Sequence, residues 1–338
     1  MNIKYIVSSR FGLNRFLTSN ASKNLISVFD TSIASENVGD QIINDSASKI
    51  VQNVFKNNQL VRFPTHIGMS SKAIYLHNKC KKSILCGTNI LNSNMLLNRQ
   101  WDIGLLQAFR MRKIILLGCG WGNYQKKPNL YTRILLRMLL DKNALHSVRD
   151  NYSKKMLESI GIDNVISTSC PTMWGLDEEH CSSISEDKSE VVITTLTDYR
   201  QDKNKDNYLL KELKRNYQKV YFWVQGSADE QYFSSLEESN DIIVIPPSLA
   251  AFDKVLENEN CDFIGTRLHA GIRAIQKKRR TIIIGVDNRA LEKKKDFNLN
   301  VIERKNIEAE LAVTINESMP TRIIIDFTQK NKWMDQFK

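Results

Sequence analysis

The sequence predicts an α/β chain of two doubly wound lobes, each built on a parallel sheet, and three observations predict it. Short β-branched runs recur along the chain, most are continuously apolar rather than alternating, and segments of helical periodicity separate them. A continuous run suits a strand buried on both faces, as in a parallel sheet covered by helices. The 338 residues are too many for one ordinary core and about right for two domains of roughly 150 residues each.

In order, the first lobe carries "LISVFD" (25–30), "SILCG" (83–87), "KIILLG" (113–118), "HSVR" (146–149) and "NVISTS" (164–169). After the polar stretch "DEEHCSSISEDKSE" (177–190) the pattern restarts with "VVITTL" (191–196), "VYFWVQ" (220–225), "DIIVIP" (241–246), "DFIGT" (262–266) and "TIIIGV" (281–286). The expected organisation is therefore a first lobe over 1–180, a second over 181–305 and a helical tail over 306–338, with a site in the cleft between the lobes.

Composition narrows the class. Hydrophobic residues are 42% and charged residues 25%, an ordinary globular balance. The six cysteines have no CxxC spacing and the five histidines no HxxxH pair, so neither a disulfide framework nor a metal centre is expected. "MNIKYIVSSRFGLNRF" lacks the apolar core and cleavage site of a leader, and no run of roughly 18 apolar residues occurs; the expectation is a cytoplasmic protein. A net charge of +11, with "KKRR" at 277–280, draws anions: phosphorylated substrates, an acidic membrane face or nucleic acid. No zinc-finger or basic-zipper pattern is present and no aromatics interleave with a basic run, which argues against nucleic acid.

In open α/β sheets ligands sit beyond the carboxyl ends of the strands, where helix N-termini present free N–H groups, so the strand-to-helix turns are the places to look. In "ENVGDQII" Gly39 permits a tight turn and Asp40 reads as an N-cap or a functional carboxylate before a helix with Ile43, Ala47, Ile50, Val51 and Val54 on one face. In "SVRDNYSKKMLESIG" Arg149 ends a strand, Asp150 is the N-cap and Gly161 the stop; the arginine either reaches a ligand or pairs with a neighbouring carboxylate. In "CDFIGTRLHAGIRAIQ" Thr266 is the expected cap, Leu268, Ile272 and Ile275 the core face, and His269, Arg273 and Lys277 another face. Arg267 and His269 then fall in a first helical turn, which favours a bound anion.

Glycine turns "CGTN" (86–89) and "GCGWG" (118–122) follow strands, where backbone amides can approach a ligand. The next strand ends in Arg149 and not in an acidic residue, so a nicotinamide site is not expected. "LTDYR" (196–200) and "WVQGSAD" (223–229) end strands of the second lobe; Asp198, Tyr199 and Gln225 there read as ligand contacts or, more commonly, as structural residues.

Taken in order, "NVGD", "CGTN", "GCGWG", "VRD" and above all "TRLHAGIRA" leading into "TIIIGVDNRA" resemble the polysaccharide pyruvyl transferase family over roughly residues 25–290. The resemblance implies a two-lobed, Rossmann-like, glycosyltransferase-B-type α/β fold. It also implies transfer of pyruvate, as a ketal, from phosphoenolpyruvate to a sugar of a cell-surface glycan such as a capsule, lipopolysaccharide or exopolysaccharide. Phosphoenolpyruvate is the donor substrate and no cofactor is implied. The acceptor would be a sugar nucleotide or lipid-linked glycan, and the net charge of +11 would then favour phosphorylated substrates and the inner membrane face.

Carried onto matching positions, Arg149 and Arg267 would hold the donor's phosphate and carboxylate, His269 would be the general acid, and Asp40 a base or acceptor-orienting group. Guanidinium forks match both anions in bidentate fashion. Leu268, Asn288, Asn37, Gly39 and Gln225 complete the expected substrate contacts, with Gly87, Thr88, Asn89 and Gly120 from the glycine turns. Three positions depart from the family pattern: Gly87-Thr88-Asn89 stands where three glycines are usual, Cys119 where glutamine is, and Cys170-Pro171-Thr172 where Asp-Pro is. Two other readings remain, a nucleotide-sugar glycosyltransferase on the same architecture and a non-catalytic anion or nucleic-acid binder.

Overall fold

The computed structural model describes residues 22–98 and 100–338; the N-terminal stretch read above for a leader lies outside them. The chain divides into two compact units. The first holds the described residues through Ser35, then Ile43–Pro171 and Asp326–Lys338; the second holds Glu36–Ile42 and Thr172–Ile325.

In the first unit β1 (Ser22–Asp30), β2 (Gln59–Pro64), β3 (Cys80–Cys86) and β4 (Ile115–Leu117) form a parallel sheet in the order β2-β1-β3-β4. A parallel pair, β5 (His146–Val148) and β6 (Val165–Ser167), extends it beside β4 through a bridge between Cys119 and Val148. Strand β2 has no counterpart among the expected strands. It is an edge strand whose exposed Arg62 and terminal Pro64 interrupt the apolar run, and only an edge tolerates that proline.

His146 fastens the extension. Its Nδ1 accepts from the Leu116 backbone N–H at 3.2 Å, so the proton sits on Nε2, which donates to the Asp141 carbonyl at 2.9 Å. The helix Phe327–Asp335 joins this unit through the Trp333 indole N–H, which donates to the Leu116 carbonyl at 3.0 Å.

In the second unit six parallel strands, β7 (Val191–Thr194), β8 (Lys219–Trp223), β9 (Ile243–Ile245), β10 (Cys261–Gly265), β11 (Thr281–Gly285) and β12 (Val301–Glu303), run in the order β12-β11-β10-β7-β8-β9. Counted from β7, this is the doubly wound 3-2-1-4-5-6 order, with its topological switch between β7 and β10. Every residue of β10 and β11 is buried, as the continuous apolar runs predict. Strand β12, only three residues long, was not among the expected strands.

The boundaries differ from the expected ones. The units separate between Pro171 and Thr172 rather than near 180, because Met173 and Leu176 ahead of the polar stretch, and Cys181 and Ile184 within it, bury into the second core. Nor is 306–338 a tail of its own. Ile307, Leu311 and Ile315 of the helix Ile307–Asn316 belong to the second core, and the chain from Asp326 onward belongs to the first unit. The turn Glu36–Ile42, expected on the first lobe, groups with the second unit.

Candidate functional site

The carboxyl ends of three strands of the second unit, β7, β8 and β10, meet at Arg267, and the end of β11 approaches it across Tyr199. This residue follows β10 and is the N-cap position of the helix Leu268–Gln276, with only 5% of its surface exposed. Its backbone N–H donates to Thr195 Oγ1 at 3.2 Å, just past the end of β7, so it stands at the topological switch. Nε donates to the Leu196 carbonyl at 3.1 Å and to Asp229 Oδ2 at 3.0 Å; Nη2 donates to Asp198 Oδ1 at 2.7 Å and also to Asp229 Oδ1. Asp198 comes from the turn after β7 and Asp229 from the turn after β8.

Asp229 is fully buried and further accepts the backbone N–H groups of Gly226 at 2.7 Å, Asp198 at 3.2 Å and Gln225 at 3.3 Å. Burial pushes its carboxyl above the ordinary aspartate value against the pull of Arg267. Gly226 is small because a Cβ there would lie 2.4 Å from Arg267 Nη2. The Tyr199 ring lies 5.3 Å from the Arg267 guanidinium and 5.5 Å from that of Arg289, which follows β11 and pairs with Asp287. Half-buried Asn288 opens the helix Asn288–Phe297 beside them.

The turn carrying Asn37, Gly39 and Asp40 joins the same strand ends. Val38 N–H donates to the Gln225 carbonyl at 2.9 Å, and Asn37 forms an antiparallel bridge with Gly226. Asn37 Oδ1 accepts from Gly39 N–H at 2.9 Å and from Gln225 Nε2 at 2.8 Å. Since that oxygen is fixed as an acceptor by a backbone N–H, Gln225 must present its nitrogen, which leaves its buried Oε1 without a hydrogen-bond partner among the described residues. An orphaned buried carbonyl is a place where a hydroxyl donor gains a bond that the protein does not supply. Sequence reading gave Gln225 no decisive signal, because the oxygen is orphaned by Asn37, 188 positions away.

Several expectations are corrected here. Asp40 is not an N-cap. The helix Gly39–Val54 begins two residues earlier than an Asp40 cap would place it, Asn37 supplies the side-chain bond at its start, and buried Asp40 sits in its first turn. Thr266 is not a cap either, since its hydroxyl is shared with Thr197 at 2.6 Å and the Thr195 carbonyl at 3.3 Å. Leu268 buries its side chain in the hydrophobic core with Ile272 and Ile275, so its backbone N–H is what it can offer a ligand. His269 is half-buried in the first turn. Arg273 and Lys277 do not continue a ligand face: they pair with Asp253 and Glu257.

In the first unit Arg149 is 4% exposed and organises the glycine turn. Nε donates to Asp150 Oδ2 at 3.0 Å and Nη2 to the Trp121 carbonyl at 3.0 Å, while Asp150 Oδ1 caps the helix Asn151–Glu158 by accepting from Ser153 N–H at 2.7 Å. Gly120 makes room for the arginine itself, since a Cβ there would lie 2.0 Å from Arg149 Nε. Gly161 lies two residues past the C-cap Ser159 in the left-handed region. Gly87 and Thr88 both have positive φ, +59° and +55°, and Asn89 Oδ1 is buried without a hydrogen-bond partner among the described residues. Cys119 is fully buried and donates its thiol to the Leu85 carbonyl.

The family model for polysaccharide pyruvyl transferases matches residues 37–288, which runs from the Asn37 turn to the residue opening the helix after β11. The chain belongs to the polysaccharide pyruvyl transferase family. The matched span holds both arginine turns, His269 and every strand end just described. Among curated proteins no sequence matches significantly.

The structure is similar to that of a UDP-GlcNAc 2-epimerase from Methanocaldococcus jannaschii in complex with UDP-GlcNAc and UDP, at 8% identity over 92% of this chain and 98% of that one, with a TM-score of 0.53. A second structure of the same epimerase gives 8% identity, 88% and 94% coverage and a TM-score of 0.50. Such identity speaks for fold alone, and the fold of this transferase-family member is glycosyltransferase-B-like α/β. Among the described residues no helix is long and apolar enough to cross a membrane.

Proposed function

We propose that this protein transfers the pyruvyl group of phosphoenolpyruvate onto two hydroxyls of a sugar, as a ketal, during assembly of a cell-surface polysaccharide. The observation that carries the proposal is the buried guanidinium of Arg267 at the topological switch of the second unit, two residues before His269 in a first helical turn, inside the span matched by the family. Arginine forks, helix-start N–H groups and a nearby imidazole are the groups that an enol phosphate carboxylate calls for.

In this reading Arg267 and the Leu268 backbone N–H bind an anionic group of the donor. His269 gives a proton to the methylene carbon, which becomes the methyl group. A sugar hydroxyl attacks the adjacent carbon, phosphate departs with the carbon–oxygen bond electrons, and a second hydroxyl closes the ketal. Of the two hydroxyl protons released, one replaces that lost by His269 and the other leaves with phosphate. Asp40 orients the attacking hydroxyl and relays its proton, the one that leaves with phosphate, and the orphaned Gln225 Oε1 accepts from an acceptor hydroxyl. The acceptor is a nucleotide-activated or lipid-linked sugar, drawn with the acidic inner membrane face by the net charge of +11.

The test is incubation of the purified full chain with phosphoenolpyruvate and candidate sugar acceptors. Phosphate release matched one-for-one by pyruvylated sugar is the expected result. Release of a nucleoside diphosphate from a sugar nucleotide, with no phosphate from phosphoenolpyruvate, would replace this reading with glycosyl transfer.

A further inference from the structure

We infer that Asp198 is an exchangeable counter-ion on Arg267, one that gives up its place to the carboxylate of the incoming donor. The inference rests on the donor reading of Arg267 given above. Two carboxylates, Asp198 and Asp229, face one guanidinium, and the neighbouring Arg289 is matched by Asp287. A cluster with an excess of negative charge repels an anion, so a carboxylate must leave before one can bind.

The two aspartates are held very differently. Asp229 has no exposed side-chain surface, grips the Nε and Nη2 edge, and accepts three backbone N–H groups that would be orphaned by its departure. Asp198 has 28% of its side chain exposed and meets the guanidinium through Nη2 alone, at 2.7 Å. Its backbone N–H is anchored to Asp229, so its side chain can rotate towards water while the turn stays in place. What it vacates is a carboxylate position on a guanidinium whose far side is already fixed, and the chemically equivalent group of the donor is its carboxylate rather than its phosphate. Nη1 donates to none of the described groups and is available for a second bond to the same anion.

Calorimetric titration of the full-length protein with phosphoenolpyruvate and, separately, with pyruvate as a carboxylate lacking phosphate tests the exchange. Asp198→Asn and Asp198→Ala are each expected to bind both ligands about tenfold more tightly than the parent, from the one unit of charge removed. Glu230→Gln, an exposed neighbour of Asp229, should change affinity less than about twofold, which separates local exchange from general charge. Unchanged or weaker binding of both ligands in both Asp198 variants, or an equal gain in Glu230→Gln, overturns the inference. If phosphoenolpyruvate binds none of the proteins while pyruvate gains in the Asp198 variants, the exchange stands and the donor assignment falls.

Discussion

Each unit buries an arginine at the end of a parallel strand and the start of a helix, and the two are held in opposite ways. Arg149 pairs with Asp150, its neighbour in sequence, and with the Trp121 carbonyl of the glycine turn that it fills. Arg267 pairs with Asp198 and Asp229, 69 and 38 positions away, which reach it from the ends of two other strands. The first arrangement completes a local turn; the second gathers strand ends at the point where the winding of the sheet reverses. The contrast teaches that a buried arginine after a strand is informative about chemistry when its counter-ions arrive from other strands, because such a cluster is built by the fold and not by the turn.

The sharpest way to break this contrast is at the proposed acid. His269→Ala should lower kcat about 10²- to 10⁴-fold while leaving the KM for phosphoenolpyruvate within about threefold, as measured by phosphate release. An equal loss in KM would move His269 from proton transfer to binding. Arg267→Lys keeps the charge but loses the fork that satisfies Asp229, and should cost about 3–5 kcal/mol in kcat/KM or stability combined. Arg149→Lys should chiefly destabilise the first unit, by about 1–3 kcal/mol, and hydrogen exchange resolved by segment reads which unit loosens in each case.

Acid should also separate the units. Burial lowers His77 and His146 of the first unit to about 4 from an ordinary value of 6.5. The unfolded chain binds their protons first, so the stability they confer is full above pH 6.5 and is lost as pH falls from there towards 4. The loss is about 3 kcal/mol for each histidine. Protonated His146 would also set a new N–H against that of Leu116. Exchange protection of β1 and β3 should therefore fall across this window while that of β10 and β11 holds; equal loss in both units would remove the histidines as the cause.

The smallest expected effect is at Thr88. A β-branched residue at φ +55° costs roughly 1–2 kcal/mol, of which glycine's greater chain entropy returns about 0.5–1. Thr88→Gly should stabilise the first unit by about 0.5–1 kcal/mol in urea unfolding; a loss instead would show that the threonine side chain makes up the backbone strain.

Much of this molecule is legible in the sequence for local reasons. Ten strands announce themselves because a strand buried on both faces must be apolar throughout, and the Asp150 cap and the first-turn position of His269 follow from strand and helix periodicity, whereas Arg267 proves to be the N-cap itself. The edge strand β2 and the three-residue β12 escape, because a half-solvated or very short strand needs no continuous apolar run. Cap residues were misassigned at Asp40 and Thr266, where the side chains that bond the turn are decided by neighbours rather than by cap preference.

By itself, then, the sequence determined the α/β class, the parallel strands, the order of the motif-bearing turns and the family they signify. Only the tertiary structure decided that Asn37 and Asp40 belong with the second unit, that Gln225 carries an orphaned oxygen, and that Asp198 and Asp229 share Arg267. The physical reason is range. Backbone periodicity and burial act over a few neighbouring residues and leave their mark in composition, whereas a charge finds its counter-ion through space, and the separations of 38, 69 and 188 positions spanned here leave none.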